Sequence, residues 1–199
     1  ECPTVTGPIR RRGPVHGAEV AFARAETAHK LKFTLPGPMT IADTIADEHY
    51  GDRVKLAFAL AEAVNEEARE LDKLGADVIQ FDEPAFNVYL DEVREWGVAA
   101  LERAAEGLRC KTAVHICYGY GIKANIDWKG GLGEEWRQYE RTFPHLAGSR
   151  IDQPGLRQAR PGDSGLRDRQ RQRLQPVVLQ HQRRDAVGHF REQRVAAGL

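Results

Sequence analysis

Along its first three quarters the chain alternates between two hydrophobic periods. Short apolar, β-branched runs closed by Gly or Pro are separated by longer stretches whose apolar residues recur every three or four positions. Pro3 to Ile9 is the first short run, broken at Gly7-Pro8, and Glu19 to His29, rich in Ala and Glu, predicts a helix. Lys32 to Leu35 predicts a second strand, stopped by Pro36-Gly37-Pro38. Val54, Phe58, Ala61, Val64, Ala68 and Leu71 then mark a helix over Asp52 to Leu74, with Asp52 placed to cap its start and Gly75 its end. Asp77 to Asp82 predicts a third strand, closed by Glu83-Pro84, and Val88 to Gly107 a helix. Thr112 to Cys117 predicts a fourth strand, Glu134 to Phe143 a helix, and Ser149 to Gln153 the start of a fifth strand.

Strands alternating with helices imply an α/β fold with a parallel sheet, either a (β/α) barrel or a doubly wound sheet. The unusual residues gather where a strand gives way to the next loop: Leu35-Pro-Gly-Pro38, Asp82-Glu-Pro84 and His115-Ile-Cys117. In a barrel, that end of the strands forms the active-site face. Four to five strand–helix units are about half of the eight a closed barrel needs, so the expectation is an incomplete (β/α)8 TIM-type barrel.

The net charge of zero hides a break in composition. Residues 1–153 carry six more acidic than basic residues, whereas 154–199 hold ten Arg, no Lys and four acids. Only Pro176-Val-Val-Leu179 resembles a core segment there. The chain thus divides into a partial barrel over 1–153 and an Arg/Gln-rich tail over 154–199. A nucleic-acid-binding arm is one reading of the tail. Its composition favours a disordered or out-of-frame extension, which makes nucleic acid the weaker partner.

No apolar run approaches the ~18 residues of a membrane span, and the start lacks a charged n-region followed by an apolar h-region. The expectation is a cytoplasmic protein without a membrane partner. Three cysteines, Cys2, Cys110 and Cys117, are too few and too odd for a disulfide framework, which favours reduced thiols or metal binding.

His115 and Cys117 are the most informative pair. Two residues apart on a strand, they face one side about 7 Å apart along the backbone, two steps of the strand rise. An imidazole nitrogen and a thiolate sulfur suit zinc, although two ligands are not four and a buried core pair is the plainer alternative. Asp82 and Glu83 are neighbours and point to opposite faces, so one is inward and the other structural. The functional reading is a carboxylate that receives a substrate amine or a proton; the plain one is a loop acid capping the next helix or pairing with an Arg. Gly37 permits close backbone approach to a ligand or a rigid strand-to-helix turn. Arg10-Arg-Arg12 reads as a phosphate-attracting patch or a solvated basic loop. Phe58, Tyr89, Trp96 and Trp136 read as packing residues.

Taken together, Lys32-Phe-Thr-Leu-Pro-Gly-Pro-Met-Thr-Ile41, Val78-Ile-Gln-Phe-Asp-Glu-Pro-Ala85 and Val114-His-Ile-Cys-Tyr-Gly119 resemble the cobalamin-independent methionine synthase family, in order and in spacing. Thr4-Val-Thr-Gly-Pro-Ile-Arg10 resembles the strand and loop before the first of these motifs in that family's C-terminal barrel. The likeness covers residues 3–153. It implies methyl transfer from a donor, methyl folate or another, to the thiol of homocysteine on a zinc-bearing (β/α)8 barrel. By resemblance, His115 and Cys117 are the family's His-x-Cys zinc pair, and Asp82 and Glu83 of the Asp-Glu-Pro-Ala motif are its substrate-binding acids, Asp82 being the one that meets the homocysteine amino group. The family's remaining zinc ligands are a Glu and a Cys further on, and this chain has no cysteine beyond Gln153. The expectation is therefore a fragment with half a site. The rival readings are another barrel methyltransferase, a uroporphyrinogen-decarboxylase-like enzyme that needs no zinc, and a non-enzymatic nucleic-acid-binding protein acting through the Arg-rich tail.

Overall fold

Helices return the chain after each strand to the same end of the sheet, and this makes the strand pairing parallel. The structure, a computed structural model, describes residues 2–118, 123–132 and 138–155. In chain order the elements are β1 (Thr4–Val5), α1 (Gly17–Glu26), β2 (Lys32–Pro36), α2 (Pro38–Thr44), β3 (Ala46–Asp47), α3 (Arg53–Lys73) and β4 (Val78–Asp82). A 3-10 turn (Pro84–Asn87), α4 (Leu90–Glu92), a π turn (Val93–Gly97) and α5 (Val98–Ala104) lead to β5 (Lys111–His115), α6 (Lys123–Gly130), α7 (Gln138–Ala147) and β6 (Gln153–Gly155). Four strands form one parallel sheet in the order β2-β4-β5-β6, and β1 pairs with β3 in a separate two-stranded ribbon. No helix among the described residues is long and apolar enough to cross a membrane.

Alternation decides which side of the sheet packs. Ile79 and Phe81 of β4 and Val114 of β5 are fully buried, in one cluster with Leu56, Ala57, Leu60, Ala61, Ala68 and Leu71 of α3 and Ala100, Leu101 and Ala104 of α5. Each large side chain so buried contributes about 1.5–3 kcal/mol. Val78, Gln80 and Asp82, on the other face of β4, are only half-buried. Carboxylates fasten the starting ends of the strands. Asp77 accepts from the Leu31 amide (2.8 Å) and the Arg24 guanidinium (3.0 Å), tying β4 to β2. Asp152 accepts from the amide and hydroxyl of Thr112, tying the chain before β6 to β5.

Several elements differ from the sequence expectation. The Pro3 to Ile9 run yields only two paired residues. Helix α1 stops at Glu26 instead of His29, because the Arg24 guanidinium takes the carbonyls of Thr27 and His29 and Thr27 turns extended. Pro36-Gly37-Pro38 opens a helix, α2, that the pattern did not predict, with Pro38 at its first turn. The long helix begins as expected, with Asp52 accepting from the Val54 and Lys55 amides, and Gly75 follows it at φ +98°. Its buried stripe is displaced, however: Leu56, Ala57 and Leu60 are buried whereas Val54 is 38% exposed. The single helix expected over Val88 to Gly107 is interrupted by the π turn. There Gly97 lies so near Met39 that an added Cβ would stand 3.0 Å from its Sδ. The fourth strand ends at His115, short of Cys117, and the fifth starts at Gln153. Of the helix expected over Glu134 to Phe143, residues 134–137, Trp136 among them, lie outside the described residues; its described part runs from Gln138 and continues to Ala147. From residue 156 onward, the expected tail also lies outside them.

The Arg10-Arg-Arg12 triplet is split, with Arg10 and Arg12 exposed and Arg11 turned inward, so it is not a uniformly solvated loop. The Arg11 side chain is 14% exposed and ion-paired to both Glu67 (2.6 Å) and Glu70. Glu67 also accepts from the amides of Val15 and His16. Burial pushes the Glu67 carboxyl up, but these amide bonds and Arg11 outweigh it and hold it below the usual range.

Candidate active site

Among the described residues, the four strands of the main sheet reach one level. Pro36, Asp82, His115 and Gly155 are successive register partners across it, so the last residues of β2, β4, β5 and β6 form a single row. Backbone bonds continue the ladder one step beyond the row, from the Gly37 amide to the Asp82 carbonyl and from the Glu83 amide to the His115 carbonyl, each 2.8 Å. The motifs that stand far apart in the chain thereby meet on one rim.

Asp82 and Glu83 part company at this rim. The half-buried Asp82 carboxylate accepts from Gln80 Nε2 at 2.7 Å, and Gln80 Oε1 accepts from Lys32 Nζ at 2.8 Å. Glu83 is completely buried, and its carboxylate accepts from the amides of Met39 (3.1 Å) and Thr40 (2.8 Å) and from the Thr40 hydroxyl (2.6 Å). Burial is the largest influence on this acid, and the nearby Asp82 charge acts in the same direction. Together they raise it to about 7 against the opposing bonds from Thr40 and Met39. Gly37 makes the arrangement possible, since a Cβ there would lie 2.2 Å from the Glu83 Cδ. The close approach that a glycine permits at this turn is thus used by the protein's own carboxylate.

Cys117 lies two residues past the end of β5 in sequence register with His115. Its carbonyl accepts from Asn87 Nδ2 at 3.0 Å, and the Ile116 carbonyl accepts from the Tyr139 hydroxyl at 2.9 Å. Tyr118 is buried, stacked on Trp128 of α6 at 6.0 Å and edge-on to Tyr139 of α7 at 5.0 Å. The other thiols are elsewhere. Cys110 precedes β5 at the opposite end of the sheet, where burial and the Asp72 carboxylate push it up to about 11, and Cys2 is exposed near the start of the chain. Among the described residues no group of three or more His, Cys, Asp and Glu is placed to hold a metal ion.

Sequence reasoning singled out Asp82, Glu83, His115 and Cys117 and missed the residues that set them. Thr40 and Asn87 carried no local signal. Gln80 had one, since it shares a strand face with Asp82 two positions later.

The family described as "Cobalamin-independent synthase, Catalytic domain" matches residues 1–119, more than half of the chain. The methionine synthase of Saccharolobus solfataricus is 40% identical over 118 residues, 59% of this chain and 35% of that protein. The methionine synthase of Sulfolobus acidocaldarius is 32% identical over 155 residues, 77% of this chain and 40% of that one. The structure of a B12-independent methionine synthase from Shewanella sp. W3-18-1 in complex with selenomethionine superimposes with a TM-score of 0.73 at 59% identity, covering 77% of this chain and 45% of that chain. A methyltransferase from Methanosarcina mazei shares the fold alone, at a TM-score of 0.50 and 16% identity. The chain spans less than half the length of the methionine synthases it matches. With its matched segment ending just past the His115–Cys117 pair, the chain belongs to the cobalamin-independent methionine synthase family, through that family's catalytic domain.

Proposed function

We propose that this chain carries part of a zinc-dependent methyltransferase site, in a protein that methylates the thiol of homocysteine. The observation that carries the reading is the rim itself, where Asp82 and His115 are direct register partners and Cys117 follows two residues on. In this reading the four-stranded sheet is one arc of a (β/α)8 barrel, and its carboxyl-end rim is the active-site face.

The residues suit zinc as far as they go. Imidazole nitrogen and thiolate sulfur are its preferred donors, and His115 and Cys117 would hold it from one side, leaving further positions for other ligands. Zinc held there would supply the positive charge that keeps a substrate thiol as thiolate, the form able to take the methyl group while the donor keeps the electron pair of the broken bond. Asp82 receives the substrate's ammonium group through a charge-assisted hydrogen bond. Gln80 and Lys32 behind it hold the carboxylate on the open face. Glu83 serves the same site from beneath, fixing the first turn of α2 against the end of β4. The relative solved in complex with selenomethionine supports an amino-acid ligand of this class.

Metal analysis of the full chain after exposure to zinc, with and without Cys117→Ser, tests the reading. Zinc retained by the parent chain and lost by the variant is expected. Equal retention, or none in either, overturns it.

A further inference from the structure

Resting on the reading of Cys117 as a metal-binding thiolate, we propose that Asn87 is a positioning residue that aims this cysteine by holding its backbone. Asn87 ends the 3-10 turn that follows Asp82-Glu83, and it is 1% exposed. One half of its amide is used: Nδ2 donates to the Cys117 carbonyl. The other half, Oδ1, is buried with no hydrogen-bond partner among the described residues. An unmatched buried acceptor costs about 1–3 kcal/mol, so an apolar side chain of the same size would serve packing better. What an apolar residue cannot do is grip the Cys117 peptide beyond the end of β5, past the bond that the Glu83 amide makes to the His115 carbonyl on the β4 side.

The grip is transmitted from a rigid base. Within the turn the Phe86 amide donates to the Glu83 carbonyl, the Val88 amide to the Ala85 carbonyl, and the Ala85 amide to the Thr40 hydroxyl, while Phe86 is fully buried. Asn87 therefore joins the segment bearing the Asp82 carboxylate to the segment bearing the Cys117 thiol. Fixing the Cys117 peptide plane fixes the direction of its Cα–Cβ bond, and so restricts the sulfur to the few rotamer positions that bond allows. Partners that orient a metal ligand in this way typically change affinity about 10–100-fold when removed.

Cobalt(II) binding to the full chain tests this, because the thiolate-to-cobalt charge-transfer absorption reports the metal–sulfur bond directly. Asn87→Asp keeps the shape but sets a carboxylate oxygen against the Cys117 carbonyl, and Asn87→Ser removes the donor while leaving room for water. The expected result is a thiolate band in the parent chain, its loss in Cys117→Ser, and in both Asn87 variants a weaker band per bound ion with affinity reduced about 10–100-fold. If Asn87→Asp fails to fold, as judged by circular dichroism, Asn87→Ser decides. Asn87 variants that melt at a lower temperature but keep the parent band and affinity show a purely structural residue and overturn the proposal. A parent chain without the band, or a Cys117→Ser variant that keeps it, overturns the metal reading of Cys117 and this inference with it.

Discussion

Asp82 and His115 stand directly opposite each other across the parallel pair β4–β5, and the Glu83 amide closes the ladder just above them by donating to the His115 carbonyl at 2.8 Å. This register puts an acid and an imidazole side by side on the rim, and the function proposed above assigns them separable duties. His115→Ala should weaken zinc binding by the full chain at least as much as the about 10–100-fold typical of outer-shell changes. Asp82→Asn should leave zinc affinity unchanged and instead abolish the effect of added homocysteine on the spectrum of the cobalt-loaded chain. Metal titration of the two variants separates the roles, and an equal loss of zinc in both would show that the division is wrong.

Gly37 and Glu83 form a steric pair as well as a hydrogen-bonded corner. A methyl group at Gly37 would meet the Glu83 side chain at 2.2–2.4 Å. Gly37→Ala should therefore destabilise the fold at the upper end of the about 1–3 kcal/mol that overpacking costs. In a Glu83→Ala background the same change should cost at least about 1 kcal/mol less, a coupling of the size seen between touching residues. Urea denaturation of the four proteins gives the cycle; additive effects would rule out the clash.

Glu83 also makes a pH prediction. Its folded-state value of about 7 lies above the ordinary 4.5, so between those values the folded chain holds a proton that the unfolded chain releases. Stability from this group is complete below about pH 4.5 and is lost as the pH rises through about 7, a change of about 3 kcal/mol. Glu67, Asp77 and Asp152, held below the usual range, act oppositely and lose their contribution as the pH falls. Comparing the parent with Glu83→Gln isolates the one acid. The variant should be less stable at low pH, since its amide NH2 faces the Met39 and Thr40 donors, and should lack the decline across that window. A decline of the same size in the variant would refute the assignment.

Arg11 offers a test of the reading of the basic triplet. Arg11→Met leaves Glu67 and Glu70 together without their shared cation, and Glu67 is only 5% exposed. The loss should be about 3 kcal/mol in denaturant unfolding, at the low end for breaking a buried ion pair. Arg10→Ala and Arg12→Ala, both at exposed positions, should stay within about 0.5 kcal/mol of the parent. Three equal effects would contradict the distinction.

Much of this chain was legible without its fold. Local signals act over a few residues, so the strand before Pro36, the capped start at Asp52, the stop at Gly75 and the strand ending in Asp82-Glu83-Pro84 could be read from spacing and turn chemistry. Motif order was enough for the family resemblance. The interrupted course of Val88 to Gly107 was not legible from local spacing, and neither was the close approach there of Gly97 to Met39, a residue of a different helix.

The sequence by itself determined the alternation of elements, the caps and the residue types available for chemistry, because each depends on neighbours within one or two turns of chain. Only the tertiary structure decided that Glu83 folds inward to hold Met39 and Thr40 while Asp82 remains on the open face beside His115. It alone decided that Arg11 spends its charge on Glu67 and Glu70, and that Asn87 reaches the Cys117 carbonyl. These pairings join residues 30 to 59 positions apart. They depend on strand register, which the packing of the whole sheet against its helices sets and no single segment encodes.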